Sequence, residues 1–115
     1  MKTIDLSNHI ERLEAFEHRA GIVLKSLSVF LSFDEDEEDN YVTIDIGGEV
    51  HASKGEDVDQ DFDVIAVAYD KKDRVIGTAT ISFYAENFFA FDAFSDSIQV
   101  HTKEINKIRI YPKKA

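Results

Sequence analysis

The chain keeps two hydrophobic rhythms, and the change between them falls at Gly21. Before it, Ile10, Leu13, Phe16 and Ala20 recur at the three- and four-residue intervals of one helical face. Ser7 or Asn8 offers an N-cap, Glu11 completes a capping box on Asn8, and Gly21 suits the position just past a helix end. The spacing predicts one short amphipathic helix over about residues 8–20, its apolar face covered by a sheet. After Gly21 the period becomes two. Leu27, Val29, Leu31 and Phe33 alternate with Ser26, Ser28, Phe30 and Ser32. Val42, Ile44, Ile46, Val50 and Ala52 then share one parity, with Thr43, Asp45, Glu49 and His51 on the other. That parity survives Gly47-Gly48, which predicts a bulge or bend there and not a strand end.

Phe62 to Tyr69 is apolar on both faces, the pattern of a central strand. Asp70-Lys71-Lys72-Asp73 reads as a hairpin connection into Arg74 to Tyr84, where Val75, Gly77, Ala79, Ile81 and Phe83 alternate with Thr78, Thr80 and Ser82. Ala85-Glu86-Asn87 turns the chain into an aromatic strand, Phe88 to Phe94. Ser95-Asp96-Ser97 is expected to break it, Ile98 and Val100 to make a brief further strand, and Ile105 to Tyr111 to close the fold before Pro112. Six to seven turn-separated strands argue for a mainly β chain folded as an antiparallel β-sandwich. The expected organisation is a single domain, 1–115, with the helix at about 8–20 and the sandwich at about 22–112.

Composition narrows the function classes. A chain of 115 residues can bury a core without staples, and with no cysteine it has no disulfide scaffold, cysteine-ligated zinc or thiol chemistry. The net charge of −10 disfavours nucleic acid and anionic membrane as partners. Charge is also uneven: residues 34–73 carry fifteen acidic and three basic groups, whereas residues 101–115 carry five basic and one acidic. No apolar run is long enough for a signal peptide or a membrane span, so the expected location is the cytoplasm.

Candidate chemistry is sparse. There is no GxSxG elbow, phosphate loop or dinucleotide fingerprint, and His9, His18, His51 and His101 lack zinc-like spacing, so no enzyme and no cofactor are expected. The acidic runs Asp34–Asn40 and Asp57–Asp63 supply hard oxygen ligands suited to Ca²⁺, without the glycine and glutamate of an EF-hand. If residues 57–63 were extended, Asp57, Asp59, Asp61 and Asp63 would point one way and concentrate like charge. A Ca²⁺ site built from these four with Asp70 and Asp73 is one expectation, and a solvated acidic surface is the plainer one. Phe88, Phe89, Phe91 and Phe94 are the other informative group. Phe89 and Phe91 share one parity and Phe88 and Phe94 the other, so the cluster is either core on both faces or partly an interface.

The stretch Val64 to Ala79, in which a strand ends in Tyr69-Asp70 and its partner carries Gly77, resembles the central hairpin of bacterial FxLYD-type domains, with Ala66 and Ala68 in place of the motif's Phe and Leu. The resemblance covers about residues 41–111. It implies an immunoglobulin-like sandwich used as an adhesion or interaction module, and brings no catalytic residues. The same hairpin, with Asp70, Asp73 and Ile76-Gly77, is also similar to part of the calcium- and phospholipid-binding sandwich domains. The expected function is therefore a non-catalytic protein-binding or assembly module. Its partner would be a second copy in a homodimer, or a basic protein met as an acidic immunity- or inhibitor-type protein would meet it. A Ca²⁺-binding domain is the alternative.

Overall fold

The period-two stretches form strands in the computed structural model, which describes residues 1–35 and 41–115. Among these residues there are eight strands: β1 (Lys2–Asp5), β2 (Ile10–Arg12), β3 (Ile22–Phe33), β4 (Val42–Ala52), β5 (Phe62–Asp70), β6 (Val75–Phe83), β7 (Phe91–Val100) and β8 (Ile105–Lys114). A short helix, α1 (Glu14–Ala20), joins β2 to β3 and is the one α-helix among the described residues. The strands make two four-stranded sheets, ordered β1-β3-β4-β7 and β2-β8-β5-β6. Every pairing is antiparallel except β2 beside β8. Val29, Leu31, Ile44 and Ile46 from one sheet and Val64, Ala66, Ile108 and Ile110 from the other belong to one buried cluster. The fold is thus the expected mainly β, immunoglobulin-like sandwich with one short N-terminal helix. β1 and β2, which the pattern did not predict, each lie at one edge of a sheet.

The N-terminal segment departs most from its pattern. Ser7–His9 is a single 3-10 turn, Ile10–Arg12 is strand, and the α-helix begins only at Glu14. Ser7 does not cap a helix: its hydroxyl accepts the Val29 N–H at 3.2 Å, and Leu13 occupies the N-cap with no side-chain bond. The reason is competition. The free edge of β8 offers Ile10–Arg12 a parallel ladder at Ile108–Ile110, which an isolated first helical turn cannot match. Phe16 is consequently exposed, and the buried residue of α1 is Glu17. The helix end is as expected, with Gly21 left-handed at φ 71°.

Within the sandwich, one bulge sets the parity. β3 begins with Ile22 and Leu24 facing inward and ends with Val29, Leu31 and Phe33 inward, an even-to-odd switch. The switch lies between Lys25 and Ser28, where β3 carries one residue more than β4 and Ser26 is left-handed at φ 55°. The bulge is therefore on β3 and not at Gly47-Gly48, whose pairing to β7 is uninterrupted. Gly48 serves close approach instead: a Cβ there would lie 2.7 Å from Leu27 Cδ2 and 2.9 Å from Phe94 Cζ. Gly77 does the same where the two sheets meet, since a Cβ on it would collide with Ile98 of β7.

β7 is continuous from Phe91 to Val100, so Ser95-Asp96-Ser97 does not break it. Pairing with β4 runs through Asp45↔Ser97 and is reinforced by a bond from Ser97 Oγ to Asp45 Oδ1 at 2.7 Å. At this sheet edge the Ala93 and Ser97 N–H groups donate to the carboxylates of Asp92 and Asp96, at 2.9 and 2.8 Å. Carboxylates so placed blunt the edge against further strand addition.

Candidate protein interface

The four phenylalanines divide by depth along the parity that the sequence suggests. Phe88 and Phe94 are buried. Phe88 meets Phe62 and Phe83 edge-on with centroids at 5.9 and 6.3 Å, and Phe94 meets Phe83 at 6.4 Å. Phe89 and Phe91 instead stand at the surface, 68% and 55% exposed. Only Phe91 and Phe94 are in strand, because the chain passes from the 3-10 turn Ala85–Asn87 through an extended Phe88 before β7 begins.

Ala90 holds the two exposed rings out. Its φ of 66° is left-handed, a conformation costly for an alanine. The kink is fixed by the Ala90 N–H donating to the Glu56 carbonyl at 2.7 Å and its carbonyl accepting from the Ala52 N–H at 2.9 Å. Phe91 N–H closes the turn on the Phe89 carbonyl at 2.7 Å. Phe91 stacks on His51, its neighbour across the ladder, with centroids 5.2 Å apart and planes 14° from parallel. His51 Nε2–H in turn donates to Glu49 Oε1 at 3.0 Å. The result is an aromatic corner on an anchored backbone, flanked by Glu49, Glu56 and Asp92. Lys25, across the ladder from Glu49, offsets part of that negative charge.

The six aspartates of the expected Ca²⁺ set are not brought together. Asp57, Asp59 and Asp61 lie in the irregular segment before β5, so they do not form the one-sided extended row, and Asp63 lies on β5 itself. Asp70 and Asp73 are at the opposite end of that nine-residue strand, roughly 25 Å away at strand rise. Several carboxylates already have partners. Asp61 Oδ1 accepts from Ala85 N–H at 2.8 Å, and Asp73 Oδ1 accepts from Asn106 Nδ2 at 2.7 Å. Asp70 accepts from the Lys72 and Arg74 N–H groups and from Arg74 Nε, each at 2.9 Å, which holds its carboxyl below the usual range. Among the described residues no three acidic or imidazole groups converge on a possible metal position. Of the run Asp34–Asn40, residues 36–40 lie outside the described residues.

Two clusters escaped the sequence reading, because each joins residues far apart in the chain or by an uneven interval. Glu17 on α1 is bound to Arg12 and to the Leu24 backbone. On the outer face of the second sheet, Arg109 donates to Glu11 Oε1 at 2.8 Å and to the Tyr69 hydroxyl at 3.2 Å, while Lys107 and Arg109 lie 5.0 and 5.2 Å from the Tyr69 ring centre. The Arg109 bond keeps the Glu11 carboxyl low and the guanidinium firmly charged. Alternating outward positions on β5 and β8 were the available signal for that cluster.

No family model matches the chain, and no curated protein matches it. Among solved structures it is similar to a β-glucuronidase from glycoside hydrolase family 2, at TM-score 0.44 and 7% identity over 83% of this chain. It is also similar to a putative β-galactosidase from Bacteroides fragilis, at TM-score 0.38 and 8% identity over 84% of this chain. The chain spans 11% and 16% of those two proteins, a likeness too partial to assign either activity to it. No helix among the described residues is long and apolar enough to cross a membrane.

Proposed function

We propose that this chain is a non-catalytic protein-binding module whose contact surface is the Phe89–Phe91 corner, and that its partner is a basic protein. The observation that carries the reading is the anchored kink at Ala90, which keeps two large rings in solvent beside two that are buried. Exposed aromatics on a fixed backbone are efficient interface anchors, since little side-chain freedom is lost on contact. The flanking carboxylates and the net −12 of residues 34–73 favour encounter with a cationic surface. The resemblance of the 64–79 hairpin to FxLYD-type interaction modules supports the same reading.

A photo-crosslinkable phenylalanine analogue at position 89, irradiated in cell lysate of set salt concentration with the products read by mass spectrometry, tests it. The expected product is an adduct to a basic protein, lost when Phe91→Ser is added and weakened when salt is raised from about 50 to 500 mM. Adducts only between copies of the chain would make the partner a second copy. A sharp dimer in light scattering, abolished by the double change F89S/F91S, would make the same reassignment. No adduct at all would remove the corner as an interface.

A further inference from the structure

On the side of the sandwich where α1 meets the end of β8, Phe16, Arg19, Ala20, Pro112, Lys113 and Lys114 line a groove of about 280 Å³. Its floor is apolar. The Phe16 ring is braced edge-on by Tyr111 at 5.8 Å between centroids and remains 41% exposed, beside Ala20 and the buried Pro112. Its rim is cationic, with the Arg19 guanidinium 5.8 Å from the Phe16 ring centre and both lysines exposed. In a chain of net charge −10 this groove has no carboxylate in its lining, and among the described residues none of its three cations forms an ion pair. Neither carboxylate of α1, Glu14 or Glu17, pairs with a cation of the groove, and Glu17 is turned away to Arg12. Asp63 stands across the ladder from Lys113 without bonding to it.

We infer that this groove binds a small amphipathic carboxylate, its apolar stem against Phe16, Ala20 and Pro112 and its carboxylate among Arg19, Lys113 and Lys114. An apolar floor with a few convergent polar groups is the usual make-up of a small-molecule site, and this volume is at the lower end of such sites. Stable protein contacts bury roughly 1,200–2,000 Å², far more than a groove of this size presents, which favours a small molecule over a protein segment. The guanidinium supplies directional bonds to the carboxylate and the lysines supply charge.

The probe is 4-phenylbutyrate, titrated into the ¹⁵N-labelled protein, with the neutral 4-phenylbutanamide as control. Saturable shifts confined to Phe16, Arg19 and the last residues of β8 are expected, with the amide about tenfold weaker or worse. K113A/K114A changes only exposed side chains at a strand end and should weaken the acid by about tenfold, whereas D63N should tighten it. No saturable shift at these residues would overturn the proposal, as would equal binding of acid and amide or indifference to K113A/K114A. Tighter binding of a peptide with a free carboxyl-terminal phenylalanine than of phenylbutyrate would also overturn it, by moving the site to a chain terminus.

Discussion

Glu17 ties α1 to both sheets through one carboxylate. Oε1 accepts from Arg12 Nη2 at 2.7 Å and from the Leu24 N–H at 2.9 Å, and Oε2 accepts from Arg12 Nε at 3.2 Å. Arg12 Nη2 also donates to the Leu24 carbonyl at 2.9 Å, so β2, α1 and β3 share one network. The pair is lopsided, with the Glu17 side chain 4% exposed and the Arg12 side chain 38% exposed. Removing the carboxylate therefore leaves an arginine that can reach water and a buried N–H that cannot. Glu17→Ala is expected to lower unfolding free energy by about 1–3 kcal/mol, with Glu17→Gln losing less because its amide oxygen can still accept from Leu24. Urea denaturation of the two variants decides it. A Glu17→Ala protein within about 0.5 kcal/mol of the parent would mean that the network is not holding the helix.

At the scale of elements, the β5–β6 hairpin depends on Asp70, whose carboxylate collects two turn N–H groups and the Arg74 guanidinium. Because its folded pKa lies below the ordinary value, the stabilisation it contributes is complete above that value and is lost as pH falls through the lower, folded one. Asp70→Asn should accordingly melt below the parent at pH 7, and the two melting temperatures should converge as pH drops below about 4. A gap that persists unchanged at pH 2.5 would assign the effect to shape and not charge. This hairpin was legible in the sequence, since a run apolar on both faces and a period-two run around a polar tetrapeptide leave few alternatives. So was the pairing of Phe88 with Phe94 and of Phe89 with Phe91 by parity, but which pair faces inward was not. What was not legible depended on partners distant in sequence. The β8 edge turned Ile10–Arg12 into strand, and pairing with β4 carried β7 through a Ser-Asp-Ser turn signal. The bulge on β3 could not be told from one at Gly47-Gly48, because parity locates an extra residue only once the facing strand is known.

Across the whole molecule, the sandwich has principal extents of 49 × 25 × 22 Å and carries its acidic excess mainly between residues 34 and 73. Composition exposed that imbalance at once, but not its arrangement. The six expected metal ligands are divided between opposite ends of β5, while the basic C-terminal residues close around the apolar Phe16 floor. Two electrostatic terms then oppose each other. The exposed Lys2–Glu35 pair and its like contribute little and weaken with salt, whereas repulsion among the acidic residues is long-ranged and is screened by salt as well. With ten more negative than positive charges, repulsion outweighs the pairs, and added salt should stabilise the fold. Raising NaCl from about 20 to 300 mM is therefore expected to increase the melting temperature, because it shortens the screening length to below about 10 Å. A Lys113→Glu, Lys114→Glu variant should steepen that dependence by enlarging the imbalance. A parent protein that melts lower in salt would instead mean that its specific ion pairs, the Glu11–Arg109–Lys107 cluster foremost, outweigh its net charge.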